Sequence, residues 1–203
     1  MSKFRFKILT MTNCTPQEWL RVWASRYGGY DEIEYGYLIA KHKLFSTEDF
    51  RRIGKWKDSA KTEGRWKPNV ASVAYPIWEM AAEELPTCPE ESDIAAFLED
   101  WSSRAYTDIY KSGPRKKHFG LSRATTLLHF ISGGRYPIFD SRVKTAFARL
   151  QGQPKLRDTV RSYLDSYVPF FKNLAELCET GDIRMLDKAL FSYGALDKSA
   201  FSN

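Results

Sequence analysis

Three cations precede a glycine and a predicted helix in the segment Arg115-Lys116-Lys117-His118-Phe119-Gly120-Leu121. The N-terminus of a helix presents unpaired backbone N–H groups and the positive end of its dipole, and both attract anions. Lysine and arginine side chains just before such a terminus suit a phosphate group. The segment therefore predicts a phosphate-binding site, and a solvated basic loop is the alternative interpretation.

A single carboxylate, Asp140, stands one helix and one turn further along the chain. The preceding helix, 121–132, is predicted from apolar residues at helical spacing, and Gly133-Gly134 ends it. Asp140 follows the turn that Tyr136-Pro137 continues, so it falls where the next helix begins. In that position an aspartate caps the helix and contributes ~1 kcal/mol to its stability.

The stretch from Gly120 to Asp140 resembles the helix-hairpin-helix, the Gly/Pro-rich loop and the aspartate of the HhH-GPD DNA glycosylase superfamily, in its 8-oxoguanine-glycosylase-like branch. Gly120 matches the second glycine of the hairpin and Ala124 the small residue of the following helix. Pro137 matches the loop proline and Asp140 the catalytic aspartate. The resemblance covers residues 112–150 of a chain of 203 residues.

The resemblance implies that Asp140 stabilises a positively charged sugar and orients or activates water, so that a base is released and an abasic site remains. Ser122 stands where family members that also cut the strand carry a lysine, and Arg123 beside it stays protonated and cannot replace that lysine as a nucleophile. We therefore expect a monofunctional enzyme. His118 replaces the first glycine of the hairpin, which predicts an altered turn. Lys144 and Lys57 are weaker candidates for a substitute amine, and a solvated lysine is the first interpretation of both.

The partner that the resemblance implies is double-stranded DNA. The expected DNA-binding residues belong to the hairpin and the helix after it: Arg115, Lys116, Lys117, His118, Gly120, Ser122 and Arg123. A base flipped out of the duplex needs a pocket with aromatic walls and a few polar groups. The candidates for it are Trp56, Lys57, Tyr136, Phe139 and His129, although a single aromatic residue of such a helical domain more often belongs to the core than to a pocket. An oxidised purine, an alkylated base and a hypermodified base of phage DNA all stay open as targets, and with them a role in repair or in phage defence.

Composition sets limits on these interpretations. The net charge of +6 favours a polyanionic partner only slightly. Three distant cysteines exclude an iron–sulfur cluster held by four local cysteines, and the histidines lack zinc spacing, so we expect no metal and no cofactor. No apolar run reaches 18 residues and the N-terminus lacks the pattern of a signal peptide, which predicts a cytoplasmic protein without a membrane span. We expect a monomer.

The remaining segments predict a mainly α fold, a single domain over 1–203 with two helical lobes and a central cleft. Thr15, Pro16 and Glu18 predict a capped helix that runs to about Tyr27. The other expectations are a short strand at 3–10, a helix from Ser46, a basic loop at 61–68, a helix at 70–85 interrupted by Pro76, a long helix from Ser92 to Tyr110, a helix at 140–150 and two or three helices in 155–200.

Two other functions compete with the glycosylase. A non-catalytic helix-hairpin-helix protein would keep the hairpin for phosphate contact and use Asp140 only as a cap. A nuclease or another metal enzyme needs clustered acidic ligands, which the isolated carboxylate of Asp140 does not provide.

Overall fold

The computed structural model describes residues 14–28, 31–42, 44–57, 59–62, 65–68, 75–85, 88–110 and 113–196, and at 59–62, 65–68, 75–76, 108–110 and 113–115 it describes the backbone alone. The described part is mainly helical, as the sequence predicts. The strand expected at 3–10 lies outside the described residues. The chain divides into two compact units, which we call the central unit (Tyr30–Tyr136) and the terminal unit (Met1–Gly29 with Pro137–Asn203).

The central unit contains all four of the described strands and the segment with the basic cluster. Its elements are α2 (Glu32–Ala40), α3 (Thr47–Lys57), β1 (Ser59–Thr62), β2 (Arg65–Pro68), α4 (Tyr75–Glu84), α5 (Ile94–Ser103), β3 (Ala105–Tyr110), β4 (Gly113–His118) and α6 (Leu121–Ile131). Helices α3 and α4 approach closely because Gly54 has no side chain: a Cβ there would lie 2.5 Å from Cδ1 of the buried Trp78.

The terminal unit is built from helices that come from both ends of the chain. They are α1 (Pro16–Ser25), α7 (Ser141–Gln151), α8 (Val160–Ser162), a π-helical turn (Tyr163–Tyr167), α9 (Val168–Leu177) and α10 (Ile183–Gly194). The predicted start of α1 is confirmed, since the Thr15 hydroxyl accepts from the Glu18 amide and the Glu18 carboxylate accepts from the Thr15 amide. Gly194 of α10 meets the backbone of α7 so closely that a Cβ would lie 1.9 Å from the Arg142 carbonyl oxygen.

The structure corrects two of the predicted elements. The long helix expected from Ser92 to Tyr110 is wrong, because α5 ends at Ser103 and residues 105–118 form an antiparallel ribbon of β3 and β4. The basic loop expected at 61–68 is a second antiparallel pair, β1 with β2. Pro76 lies in the first turn of α4, where a proline gives up no helical hydrogen bond, and residues 70–74 of the helix expected over 70–85 lie outside the described residues.

The ribbon forms because its sequence suits a strand better than a helix. Ala105–Tyr110 places β-branched and aromatic residues close together, and such residues favour strands. The pairing runs from Ala105 opposite His118 to Tyr110 opposite Gly113. The helix predicted from Ser92 to Tyr110 is therefore present only from Ile94 to Ser103.

In the part of the chain that the structure describes, no helix combines the length and the apolar character that crossing a lipid bilayer requires.

Candidate functional site

The ribbon is an insertion between two helices whose ends meet at its base. The Phe119 amide donates to the Arg104 carbonyl at 2.8 Å, and the Gly120 amide donates to the Ser102 carbonyl at 3.0 Å. These bonds bring the end of α5 to the start of α6. The local arrangement is helix, β-ribbon, helix, where the sequence predicted a short hairpin turn.

Gly120 is the residue that makes the entry into α6 possible. Its backbone has φ +81° and ψ 153°, a region that is accessible essentially to glycine alone. Its carbonyl oxygen accepts from the amides of Arg123 and Ala124, each at 3.1 Å, and so begins the helix. No side chain caps α6, so its first amides keep their donors directed out of the helix end.

His118 stands where the first glycine of the hairpin was expected, and its side chain is bonded to the end of the preceding helix, α5. Its Nδ1 lies 2.8 Å from the Ser103 carbonyl oxygen, and because a carbonyl only accepts, Nδ1 donates. The carbonyl belongs to the last residue of α5, which has no further helical donor. The altered turn is thus stabilised by a side-chain bond to the end of α5.

The three cations before Gly120 do not lie on a loop but on strand β4. Lys116 and Lys117 are neighbours in this strand, so their side chains point to opposite faces of the ribbon. Lys116 is exposed and Lys117 is half-buried. Arg115 is described only in its backbone, opposite Asp108. The cluster is therefore split between two faces, which the sequence interpretation as a loop did not anticipate.

Ser122 and Arg123 are half-buried in the first turn of α6. The Ser122 carbonyl accepts from the hydroxyls of Thr126 at 2.7 Å and Thr125 at 3.2 Å. One Arg123 nitrogen donates to the Phe119 carbonyl at 3.4 Å, and its guanidinium carbon lies 5.9 Å from the Tyr106 ring centroid. Arg123 is turned back onto the base of the ribbon.

Asp140 caps α7 in the terminal unit, as the sequence predicts. Its Oδ1 accepts from the amides of Arg142 at 2.8 Å and Val143 at 3.1 Å. No donor among the described residues is bonded to Oδ2. Asp140 is half-buried. A fixed carboxylate with one oxygen still available is chemically able to stabilise a cation or accept a proton.

A cluster of buried aromatic side chains includes Phe139, the residue next to Asp140 in the chain. Phe139 packs against Tyr163 and Tyr167, with ring centroids 5.5 and 5.1 Å away. Burial raises the pKa of Tyr167 well above its usual range, and the charges of Asp187 and Asp140 add to this shift. The Tyr167 hydroxyl is therefore neutral, and it has no hydrogen-bond partner among the described residues.

Several residues expected to line a base pocket belong instead to the cores. In the central unit Trp56 is buried and its Nε1 donates to the Asp31 carbonyl. His129 is fully buried, with Nδ1 2.7 Å from the Tyr136 carbonyl and Nε2 2.9 Å from the Tyr35 hydroxyl. Both of its ring nitrogens are thus engaged by the protein itself. Phe139 is fully buried in the terminal unit.

Tyr136 and the two candidate lysines are placed differently. Tyr136 is half-buried, and burial together with the charge of Glu91 raises its pKa. Lys57 is buried at the end of α3. Lys144 is also buried, and its Nζ lies 3.1 Å from Asp158 and 5.2 Å from the Phe139 ring centroid. The Lys144 amine is thus engaged by a carboxylate and a ring of the protein itself, which does not favour a role as a nucleophile.

The central unit contains a cavity of about 850 Å³ that sequence reasoning missed. Its walls combine an aromatic pair, aliphatic residues and a polar end: His42, Phe45, Phe50, Ala82, Leu85, Cys88, Ile131, Ser132, Gly133 and Arg135. The His42 ring lies against Gly133, where a Cβ would approach it to 2.9 Å. Arg135 is held by the Ser132 carbonyl at 3.1 Å and lies 3.5 Å from the Cys88 sulfur.

The only sequence signal for this cavity was the turn predicted at Gly133-Gly134. The two glycines do form that turn, with positive φ angles of 66° and 85°. The other residues come from distant segments, and nothing in their spacing connects them. Within the described residues no group of three or more His, Cys, Asp or Glu side chains is placed to hold a metal ion.

No protein-family model matches this chain, and neither a curated protein nor a solved structure matches it.

Proposed function

We propose that this chain is a monofunctional DNA glycosylase. It would hydrolyse the N-glycosidic bond of a damaged or modified base flipped from double-stranded DNA. In this reaction water forms a bond to the sugar carbon, the bond to the base breaks with its electron pair moving to the base nitrogen, and a proton passes from the water to the released base. An abasic site remains, and the strand stays intact because Ser122 offers no amine.

The observation that carries the proposal is the geometry of Asp140. One carboxylate oxygen, Oδ1, accepts from both capping amides, so the group is fixed while Oδ2 has no donor among the described residues. A preorganised charge of this kind stabilises a sugar cation more strongly than a mobile one. The entry into α6 at Gly120, with its uncapped amides, supports phosphate binding beside the exposed Lys116.

One observation favours the alternative, a non-catalytic helix-hairpin-helix DNA-binding protein. Asp31 caps α2 with the same pattern, since its Oδ1 accepts from Ile33 at 2.9 Å and from Glu34 at 3.0 Å. A carboxylate in this arrangement can thus be a cap and nothing more. Asp31 therefore serves as the matched control for Asp140.

The test compares Asp140→Asn with Asp31→Asn. Asparagine caps a helix about as well as aspartate, so the free energy of unfolding of both variants should stay within about 0.5 kcal/mol of that of the parent. The proteins are incubated with genomic DNAs that differ in base modification and with duplexes that carry one oxidised or alkylated base. Abasic sites are then counted with an aldehyde-reactive probe.

We expect abasic sites from the parent and from Asp31→Asn, none from Asp140→Asn, and equal DNA binding by all three. Excision by Asp140→Asn at the parent rate would contradict the role of Asp140. DNA binding by the parent without abasic sites on any DNA would favour the non-catalytic protein. The identity of the excised base would distinguish a role in repair from a role in defence against modified phage DNA.

A further inference from the structure

A shallow groove of about 320 Å³ on the terminal unit is flanked by two arginines that the sequence reasoning did not single out, Arg26 and Arg142. Three helices build it: the end of α1, the start of α7 and the end of α10. Trp23 and Phe191 give it aromatic walls, and Ser192 is also one of its lining residues.

Each arginine is held by an aromatic ring. The guanidinium carbon of Arg26 lies 4.6 Å from the Trp23 ring centroid, and that of Arg142 lies 4.2 Å from the Phe191 ring centroid. Both side chains belong to exposed residues. A guanidinium stacked on a ring still directs the N–H groups at its edge toward an acceptor, and the stacking reduces the entropy lost when that acceptor binds.

The ends of the helices do not explain these arginines. At the end of α10 a different arginine serves the carbonyls, since Arg149 donates to that of Tyr193 at 2.8 Å and to that of Leu196, just beyond the helix, at 2.7 Å. The first amides of α7 are bound by Asp140, so a ligand in the groove would be recognised by the side chains of Arg26 and Arg142.

A second, independent observation points to a ligand. Ser192 is only 9% exposed, and its hydroxyl oxygen has no hydrogen-bond partner among the described residues. A buried hydroxyl without a partner destabilises a fold, so such groups in native proteins call for an explanation. Ser192 also lines the groove, so a rotation of its side chain would let the hydroxyl donate to a ligand oxygen there and supply the missing bond.

We propose that this groove binds a phosphate group, and that the group is a phosphodiester of a DNA strand. Two planar guanidiniums and a hydroxyl are a donor set that suits the oxygens of one phosphate. The identification of the strand as DNA rests on the proposed function. The binding of phosphate itself rests on Arg26, Arg142 and Ser192 alone.

The main test is the salt dependence of binding to a DNA duplex by the double variant Arg26→Gln and Arg142→Gln. The logarithm of the binding constant falls against the logarithm of salt with a slope of about 0.9 for each phosphate contacted. Because both arginines serve one phosphate, we expect the double variant to lose about 0.9 from the slope, a single contact. The matched control is Arg157→Gln with Arg161→Gln, two exposed arginines of the same unit. An unchanged slope in the first pair, or equal losses in both pairs, would overturn the proposal.

Ser192→Ala separates a ligand contact from a structural role. Removing an unpartnered hydroxyl should raise the melting temperature of the protein without DNA, while weakening its binding to DNA several-fold. A higher melting temperature with unchanged affinity would show that no ligand bonds to Ser192 and would contradict its part in the proposal.

Inorganic phosphate distinguishes the two sources of the ligand. If phosphate raises the melting temperature of the parent but not of the arginine double variant, while the slope for DNA is the same in both, the ligand is a free phosphate and the assignment to DNA is wrong. The abasic-site assay on the parent separates this proposal from the glycosylase. If the double variant loses slope but the parent excises no base from any DNA, the phosphate groove is supported and the glycosylase is refuted. If the parent excises a base but the slope of the double variant is unchanged, the glycosylase is supported and the groove is refuted.

Discussion

Gly120 and Asp140 show how single residues begin the two helices of the candidate segment. Gly120 opens α6 through a backbone conformation with φ +81°, and Asp140 opens α7 through two hydrogen bonds to one carboxylate oxygen. Glycine suits position 120 because it adopts a positive φ without strain, and aspartate suits position 140 because its carboxylate accepts from the first amides of a helix. Both residues are also the ones through which the sequence resembles a glycosylase, so local structure and function compete to explain them.

Replacing Gly120 with alanine should destabilise the protein by about 1–3 kcal/mol, because a Cβ strains a backbone at φ +81°. Gly36 lies within α2 with nothing within 4 Å of an added Cβ, so Gly36→Ala should instead stabilise by about 0.5–1 kcal/mol. Unfolding in denaturant measures both changes. Equal stability of the two variants would refute the role given to the backbone of Gly120.

His129 illustrates the opposite case, a residue type that suggests chemistry but serves the core. The histidine lies between the Tyr35 hydroxyl and the Tyr136 carbonyl, with no exposed surface. From the sequence it is a polar residue on a helix close to the candidate aspartate. Only its burial and its two partners show that it holds the end of the central unit together.

At the scale of elements, the β3–β4 ribbon decides how the basic residues act. On a loop, three adjacent cations can converge on one phosphate, but a strand turns successive side chains to opposite faces. Lys116 is exposed and Lys117 is half-buried, in agreement with that alternation. A DNA strand bound as proposed would therefore contact the two lysines to different extents.

Lys116→Ala should lower the salt slope of DNA binding by about 0.9, the loss of one phosphate contact, and Lys117→Ala should lower it less. Lys172, exposed on α9, provides the control Lys172→Ala, for which we expect no change. Filter binding or fluorescence anisotropy at a series of salt concentrations measures the slopes. Equal losses for the two ribbon lysines would mean that both faces contact DNA.

The contact of α7 with α10 depends on the missing side chain of Gly194. Since an added Cβ would lie 1.9 Å from the Arg142 carbonyl oxygen, Gly194→Ala should destabilise the protein by about 3 kcal/mol. Gly181 has nothing within 4 Å, so Gly181→Ala is the control and should change stability by less than about 0.5 kcal/mol. Thermal unfolding compares them, and a Gly194→Ala protein as stable as the control would show that the two helices separate at no cost.

At the scale of the whole molecule, the chain passes from the central to the terminal unit at Tyr136 and Pro137. Each carbonyl there is bonded within its own unit, that of Tyr136 by His129 and that of Pro137 by the Tyr163 hydroxyl at 2.9 Å. The three cysteines are distributed over both units without a disulfide, and they differ in exposure.

Alkylation should distinguish the cysteines of the folded protein. Burial raises the pKa of Cys178 to about 11, so its thiol stays protonated, and therefore unreactive, up to a pH near that value. At pH 8 iodoacetamide should modify the half-buried Cys14 and Cys88 but spare Cys178 until the protein is unfolded. Peptide mass spectrometry identifies the sites, and rapid labelling of Cys178 in the native protein would contradict its burial.

The sequence by itself determined what depends on neighbours along the chain. The capping box at Thr15, the glycine before α6, the Gly133-Gly134 turn and the cap at Asp140 are all interactions within a few residues, and each was predicted. The mainly helical character followed from periodic apolar residues for the same reason. The resemblance to a glycosylase rests on this local segment.

Only the tertiary structure decided what depends on residues far apart in the chain. Apolar residues at helical spacing did not reveal the ribbon, because the strand preference of 105–110 takes effect only when these residues pair with 113–118. The groove flanked by Arg26 and Arg142 combines residues from the ends of α1, α7 and α10. The cavity of the central unit combines segments from 42 to 135. Their side chains meet only after packing, so no spacing along the sequence encodes them. Burial and hydrogen-bond partners, which depend on the same packing, distinguish a histidine of the core from one that could act on a ligand.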